Sequence, residues 1–246
     1  MNKLITTIAF VALSSVSAQA IELPTLPSFG NLGVKAGFTA QIGSMEASGK
    51  EANSDGATAT RTSNVREALF GTGGYFIEKD LAFLPSKLGE IGSRIHIGYD
   101  NIVHDLDLGT VNNIREISDG ANPGTIDLAA ANHSLNAKID GFETVYATIN
   151  ITDWLYVKGG AVTVDVVTDY KGSATSTYAK KHELDGTVFG FGLSRSTDNG
   201  WFTRLEYNEY DIDGKSVVNS GTDSKFTATL NDVSGSTGRI SIGKAF

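Results

Sequence analysis

Apolar and polar residues alternate along several stretches of this chain, which predicts β-strands that each have one apolar face. The alternation is cleanest at 32–43, where apolar residues take turns with glycine or polar residues. The same period recurs at the end of the chain, where Ile240, Ile242 and the terminal Phe246 share one face. A terminal strand usually frays, so a regular strand at this position suggests that it is held in a sheet.

About eight strands follow from this pattern, and the links between them differ in length. Strands are predicted near 32–43, 66–78, 91–103, 135–151, 154–168, 189–194 and 201–211, with a last strand ending at 246. Long polar loops are predicted at 46–64, 105–134, 169–184 and 212–224, and tight turns at 152–153 and 198–200. The alternation of long and short links predicts an antiparallel up-and-down β-barrel.

The face opposite the apolar one carries glycine, serine and charged residues, which would make a poor dry core. A soluble barrel would bury its apolar face, whereas an outer-membrane barrel turns that face to lipid and keeps the polar face in its lumen. We therefore expect an all-β transmembrane barrel with a narrow polar lumen. The period is interrupted at Glu143, which predicts either a β-bulge or a glutamate that faces the lumen.

The N-terminus indicates export. A basic start at 1–3 precedes a mostly apolar run at 4–13 and a small-x-small cleavage motif at 18–20. The run is too short to span a membrane, so it predicts a signal peptide over 1–20, cleaved after about Ala20. The remaining 21–246, roughly 225 residues, suits one barrel domain. We expect this barrel in the outer membrane of a Gram-negative bacterium.

Composition narrows the chemistry further. The chain has no cysteine, which excludes disulfides, thiol nucleophiles and thiolate metal sites. Its formal net charge of -8 argues against a nucleic-acid partner. Glycine is abundant, at 28 residues, and glycine within strands suits the tight curvature of a small barrel.

The order of several short motifs resembles the OmpA-type transmembrane domain. The residues 202–207, Phe-Thr-Arg-Leu-Glu-Tyr, after the turn at 197–200, are similar to the seventh strand of that family. The segment 151–160 is similar to its fourth turn and fifth strand, and 73–75 and 97–100 fit its second and third strands. The resemblance covers most of the predicted barrel and is weak in the loops.

The resemblance implies a lumen in which an arginine and a glutamate pair across the barrel. It implies that Lys158, Arg204 and Glu206 point inward, and strand parity adds the other members of a predicted lumen charge network. The predicted network comprises Lys35, Arg94, His96, Lys158, Arg204, Glu206 and Arg239. His96 is a departure, because the family often has an inward glutamate there, and we expect it to be a neutral, hydrogen-bonded histidine.

The family also implies a role for the C-terminus. Phe246 is predicted to complete the lipid-facing stripe and to form part of the signal read by the barrel-assembly machinery, although Lys244 departs from that signature. Trp154 and Trp201 each follow a short turn, so together with Phe246 they predict an aromatic rim at the periplasmic end.

The residues provide little support for catalysis or metal binding. None of His96, His104, His133 and His182 has a serine two positions on, as a lipid-hydrolysing site on a small barrel would require. The acidic segments 105–107 and 211–214 lack the spacing of a calcium loop. We therefore expect no catalytic residue, no metal site and no cofactor.

The predicted function is that of an integral outer-membrane barrel with a structural, surface-exposed role. Its expected partners are outer-membrane lipid, lipopolysaccharide and the barrel-assembly machinery. Two alternatives remain open: a porin for small solutes, or an adhesin whose loops contact a host or phage receptor. Loop sequences cannot separate these alternatives, because loops carry recognition without a readable code.

Overall fold

The computed structural model describes residues 32–53, 64–84, 91–103, 105–112, 134–171, 179–218 and 226–246. The predicted signal peptide lies outside these residues, as do His104 and His133. The described strands are β1 (Val34–Asn53), β2 (Asn64–Asp80), β3 (Ile95–Ile102), β4 (Leu106–Asn112), β5 (Ser134–Asn150), β6 (Leu155–Lys171), β7 (Lys181–Ser196), β8 (Trp201–Ile212), β9 (Lys215–Val218), β10 (Phe226–Leu230) and β11 (Val233–Ala245).

The strands form one antiparallel sheet that closes on itself. Eight of them form the barrel wall in the order β1, β2, β3, β5, β6, β7, β8 and β11, and β11 pairs with β1 to close the barrel. β4 continues the wall beyond β3 by pairing with β5, while the hairpin of β9 and β10 extends β1. The predicted eight-stranded transmembrane barrel is therefore confirmed. No helix among the described residues is long and apolar enough to cross a membrane.

The two ends of the barrel differ. One end, called here the turn end, carries the turns at 151–154 and 197–200, together with residues 33 and 246. The turn at 197–200 is closed by a backbone bond from Gly200 to Thr197 and has Gly200 at a positive φ of 83°. At the same end Phe246 donates a backbone hydrogen bond to Val34 at 2.8 Å and accepts one from it at 3.3 Å. The opposite end is called the loop end.

The strands reach further toward the loop end than the sequence predicted. The predicted loop at 46–64 is wrong in part, because β1 continues to Asn53 and its ladder with β2 starts at Asn64. The other three predicted loops likewise contain strand residues: β4 falls in the second, β6 and β7 both extend into the third, and β9 falls in the last. Backbone pairing does not require an apolar face, so these polar segments extend the ladder without the alternation that reveals a strand.

On several strands the inward and outward faces exchange their polarity along the strand, as β8 and β7 show. Near the turn end of β8, Arg204 and Glu206 are buried inside while Thr203 is exposed outside. Near the loop end of the same strand, Ile212 is buried inside while Asp211 is exposed outside. β7 behaves alike, with Phe189, Phe191 and Leu193 outside near the turn end and Glu183 and Asp185 outside near the loop end.

The loop half of the barrel interior is consequently apolar, which corrects the predicted polar lumen. Thirteen buried residues form one cluster there, called here the apolar plug. Its members are Met45, Ile102, Leu106, Ile139, Phe142, Val162, Val164, Val166, Leu184, Val188, Tyr210, Ile212 and Val233. The prediction was wrong for this half alone, because it extended the polar inward face of the turn half along the whole strand.

On the outer face of the turn half, exposed apolar side chains form a belt around the barrel wall. The belt includes Phe38, Ile42, Tyr75, Ile77, Ile97, Val145, Ile149, Phe189, Phe191, Leu193, Ile240 and Ile242. A continuous apolar outer surface of this kind is unfavourable in water and matches the lipid-facing band of a transmembrane barrel.

The interruption in strand β5 is a bulge. The register with β6 shifts between Ile139 and Phe142, and both of these side chains are buried in the interior. Glu143 therefore faces outward, where it is exposed and accepts a hydrogen bond from Asn101 at 3.4 Å. Of the two alternatives for this segment, the bulge is confirmed and the lumen-facing glutamate is wrong.

The aromatic residues of the predicted rim all lie at the turn end. Trp154 is exposed, whereas Trp201 and Phe246 are half-buried. Lys244 points outward beside them, with its ammonium 5.8 Å from the centre of the Trp201 ring and bonded to the carbonyl of Asn199. The aliphatic part of Lys244 thus lies along the barrel wall while its ammonium reaches the end of the barrel, as long cationic side chains do at membrane interfaces.

Deleting Phe246 should reduce the yield of folded barrel. The deletion removes the two backbone hydrogen bonds to Val34 and one aromatic ring of the rim. The β1–β11 ladder that closes the barrel therefore loses its last hydrogen-bonded residue pair. The measurement is the amount of heat-modifiable barrel in the membrane fraction. Phe83→Ala is the control, because Phe83 is an exposed ring at the same end that lies outside the strands. Equal yields for the deletion and the wild type would contradict the prediction.

Candidate functional site

A layer of charged side chains fills the interior of the turn half, and it is the strongest candidate for a site in the described residues. We call it the charged layer. Its members are the cations Lys35, Lys158, Arg204 and Arg239, the carboxylates Glu78, Asp100 and Glu206, and the histidine His96. All except the half-buried Lys35 are buried, and they come from six of the eight wall strands.

Arg204 on β8 and Glu78 on β2 form the first ion pair of this layer. The guanidinium of Arg204 donates from Nη1 to Oε1 at 2.5 Å and from Nη2 to Oε2 at 2.6 Å. The rings of Phe202, Phe76 and Tyr156 surround Arg204, with centroids 4.9, 5.3 and 5.3 Å from its Cζ. A bidentate ion pair of this type is directional and strong, and it links β8 to β2 across the lumen.

Glu206 is the centre of the second group. Its Oε1 accepts from Lys158 at 3.1 Å and from Asn208 at 2.9 Å, and its Oε2 accepts from Tyr156 at 2.7 Å. Arg239 lies 3.8 Å from the same carboxylate. The charge of Glu206 is therefore satisfied by groups from β6, β8 and β11.

Asp100 connects the remaining cations. It forms a close ion pair with Arg239 and lies 3.8 Å from Lys158. Lys158 and Arg239 thus each face both Asp100 and Glu206, which alternates positive and negative groups across the lumen. Since side chains on β3, β6, β8 and β11 take part, this group spans the width of the barrel.

Two tyrosines join the ion-paired groups. Tyr146 donates its hydroxyl to Glu78 at 2.9 Å, and the ammonium of Lys158 lies 4.2 Å from its ring centre. Tyr156 donates to Glu206, and the guanidinium of Arg204 lies against its ring. Each tyrosine therefore bonds the carboxylate of one group and holds the cation of the other by a cation–π contact.

Glycines make room for these two tyrosines. Gly98 is the cross-strand partner of Tyr146 and Gly192 is the partner of Tyr156. A Cβ added at Gly98 would lie 2.7 Å from the hydroxyl oxygen of Tyr146, and one added at Gly192 would lie 2.5 Å from Cζ of Tyr156. Both positions need glycine because the rings lie flat over the backbone of the neighbouring strand.

Lys35 and His96 close the layer at the turn end. Nζ of Lys35 donates to Nε2 of His96 at 2.8 Å, and Glu78 is the cross-strand partner of Lys35. A ring nitrogen that accepts from an ammonium has no proton of its own, so this contact requires His96 in its neutral form.

The sequence placed most of this layer in the interior, but not all of it. Lys35, His96, Lys158, Arg204, Glu206 and Arg239 lie inside. Arg94 does not: it is exposed in a turn ahead of β3, where its amide bonds to Ile91, so the prediction was wrong for this residue. The predicted third strand began too early, and parity counted through the turn misplaced the side chain.

Sequence reasoning missed Glu78, Tyr146 and Tyr156. Glu78 is two residues from Phe76 and four from Gly74, all buried, so parity on β2 would have placed it inside. Tyr156 is two residues from Lys158, so parity would have placed it inside as well, whereas the interruption at Glu143 left the facing of Tyr146 open. The fit of each ring becomes clear only when the tyrosine is paired with the glycine opposite it.

The charged layer pairs most of its charges internally. Three of its four cations contact the three carboxylates across the lumen, and the fourth, Lys35, donates to the neutral His96. Within the described part of the chain, no group of three or more acidic or histidine side chains is arranged to hold a metal ion. The arrangement therefore fixes the walls in place and fills the space between them.

A closed antiparallel barrel with an apolar outer belt and a polar layer inside is the fold of outer-membrane β-barrel proteins. The fold resembles that of the outer-membrane protease OmpT from Escherichia coli, with a TM-score of 0.51 and 10% identity over 90% of this chain and 99% of that one.

Two further solved structures superimpose less well. The outer-membrane protein OprG from Pseudomonas aeruginosa has a TM-score of 0.48 and 10% identity, covering 88% of this chain and 99% of that one. Neisserial surface protein A has a TM-score of 0.28 and 11% identity, covering 80% and 95%. No family model and no curated protein sequence matches the chain. Identities this low concern the fold alone.

Removing Glu206 should destabilise the barrel by about 3–5 kcal/mol, because the change leaves Lys158 and Arg239 buried with one carboxylate fewer. The double change Glu206→Ala with Lys158→Ala should recover part of that loss. Urea unfolding in micelles or bilayers measures the wild type, both single variants and the double variant.

Glu209→Ala provides the matched control, because Glu209 lies three residues along the same strand on the exposed outer face. It should change the free energy of unfolding little. Single effects that simply add in the double variant would show that Glu206 and Lys158 are not coupled.

Proposed function

We propose that this protein is an integral outer-membrane barrel that serves as a closed scaffold and presents its loop end at the cell surface. The observation that carries the proposal is the filled interior. The charged layer occupies the turn half and the apolar plug occupies the loop half, so two chemically different barriers follow each other along the axis. An eight-stranded barrel is just wide enough for its own side chains.

The side chains of the apolar plug are closely packed against one another and do not surround an open channel. Phe142 and Tyr210 meet edge to face with ring centroids 5.2 Å apart, and both are at most 4% exposed. Val162, Val164 and Ile212 are each 1% exposed. An ion would have to leave water to cross this layer, and the plug contains no charged side chain to offset the cost.

The arrangement favours the closed scaffold over the porin alternative. It also supports a role without catalysis, because the interior carboxylates and cations are engaged with each other. The proposed partners are outer-membrane lipid along the apolar belt, lipopolysaccharide around the polar wall above it, and the barrel-assembly machinery during insertion. Contact with a host or phage receptor through the loop end remains the second candidate, for which the long strands that raise that end are the supporting feature.

Wild-type protein in planar bilayers should give no steady conductance. The variant Tyr156→Ala with Tyr210→Ala removes one inward ring from each barrier and should give brief openings. The control Tyr75→Ala with Tyr207→Ala removes two rings from the outer wall and should stay closed. A large, steady wild-type channel would contradict the closed scaffold and support the porin alternative.

Single cysteines should report the orientation, since the chain has no native cysteine. Val218→Cys lies on the exposed loop-end strand β9, and Asp153→Cys lies in an exposed turn at the other end. A membrane-impermeant maleimide applied to intact cells should label the first and not the second, and both should react after lysis. Labelling of Asp153→Cys alone in intact cells would reverse the proposed orientation.

A further inference from the structure

The contact between Lys35 on β1 and His96 on β3 closes the charged layer at its turn end. Nζ of Lys35 lies 2.8 Å from Nε2 of His96 and can donate to it only while that nitrogen has no proton. The ring proton is then on Nδ1, which has no hydrogen-bond partner among the described residues. The bond from Lys35 therefore holds the orientation of a ring that is almost fully buried.

Lys35 has no second partner inside the layer. Glu78 is its cross-strand neighbour on β2, but the two carboxylate oxygens of Glu78 are already engaged. They accept from the guanidinium of Arg204 at 2.5 and 2.6 Å and from the hydroxyl of Tyr146 at 2.9 Å. Since Lys35 is only half-buried, an ammonium displaced from His96 would move toward the water at the turn end.

A charged His96 would have a different partner, Asp80. Asp80 lies directly opposite His96 on β2, and the buried Phe76 and Glu78 show that this parity faces the interior. Residues opposite each other on neighbouring strands have Cβ atoms about 5 Å apart, within reach of a rotated ring. On its other side His96 is opposite Thr148 of β5, which is buried and does not titrate.

Charges from three strands act on the ring of His96. Lys35 from β1 and Arg204 from β8 repel a positive ring. Glu78 and Asp80 from β2 attract it. The two kinds of charge are equal in number, so movement of the Lys35 ammonium into water would leave an excess of negative charge around the ring. Protonation of His96 and release of Lys35 therefore favour each other.

We propose that Lys35, His96 and Asp80 form a proton-operated latch at the turn-end mouth of the lumen. At neutral pH the ammonium of Lys35 is held inside on Nε2 of His96. In acid a proton from water binds Nε2, the imidazolium turns to the carboxylate of Asp80, and Lys35 extends into water. The latch controls access to the charged layer and leaves the apolar plug unchanged, so it is independent of whether the barrel conducts ions.

NMR of the full-length protein in micelles, with labelled histidine and lysine, reads both halves of the latch. At about pH 7.5 the ring nitrogens of His96 should differ in protonation, and in acid both should be protonated. Over the same pH range the side-chain signals of Lys35 should gain relaxation from an uncharged gadolinium chelate in the water. Lys79 is the internal standard, because its side chain is exposed at the same end and should respond at every pH.

Two outcomes of this experiment would overturn the latch. One is a His96 ring that keeps its single proton down to about pH 4. The other is a Lys35 signal that stays shielded from the chelate while His96 titrates. Both are read from the wild-type protein, so the result does not depend on how well any variant folds.

His96→Gln provides a variant without the titration, because the glutamine oxygen can accept from Lys35 at every pH. The fold requires neutral His96, so below about pH 6.5 the unfolded wild-type chain binds the extra proton, and acid favours unfolding. The unfolding equilibrium constant of the wild type, divided by that of the variant, should rise by up to about tenfold per pH unit as the pH falls. A ratio that does not change with pH would contradict the latch.

Asp80→Asn tests the partner of the charged ring. The asparagine oxygen can still accept from the amide of Ala82, as Asp80 does at 3.3 Å, but it offers no charge to the imidazolium. Release of Lys35 should then require a lower pH than in the wild type. Asp198→Asn is the matched control, because it removes a carboxylate from an exposed turn at the same end, and it should not shift the release. Equal release in the wild type and the Asp80 variant would exclude Asp80 from the latch and overturn the proposal.

Discussion

Everything in this structure depends on one constraint: each strand must carry its wall out of lipid and into water without a break in the backbone ladder. In lipid the outer face has to be apolar, so the polar side chains of that segment point inward and must find partners there. In water the outer face becomes acidic and the apolar residues turn inward. The barrel therefore has two cores of opposite chemistry, stacked on one axis.

The charged layer solves the harder half of this problem. A buried charge left without a partner costs several kcal/mol, and even a paired one gains little over apolar packing. The chain answers with redundancy, since Glu206 has four neighbours and Arg204 has a two-pronged contact within a ring of aromatics. The tyrosines make the two ion-paired groups interdependent, so that losing either one weakens the orientation of the other.

The parts of the fold that were readable from the sequence are those where lipid imposes a strict alternation. The strands through Phe38, Phe191 and Ile242 followed directly from it, and the resemblance to the OmpA-type domain correctly implied that Arg204 and Glu206 point inside. The loop half was not readable, because Val162 and Val164 have the same period as a lipid-facing strand but the opposite facing. Arg94 was misplaced for a local reason, a turn that parity cannot detect.

The length of the strands has a consequence for what an approaching molecule meets. β6 has 17 residues. At about 3.3 Å per residue and a tilt of about 40° such a strand rises roughly 40 Å, whereas the apolar band of a membrane barrel is only about 25 Å tall. The loop end of the barrel therefore extends above the apolar band by a distance on the order of 15 Å. In an outer membrane, antibodies and phage tails would touch rigid β-structure within the sugar zone and would not need to reach down to the lipid.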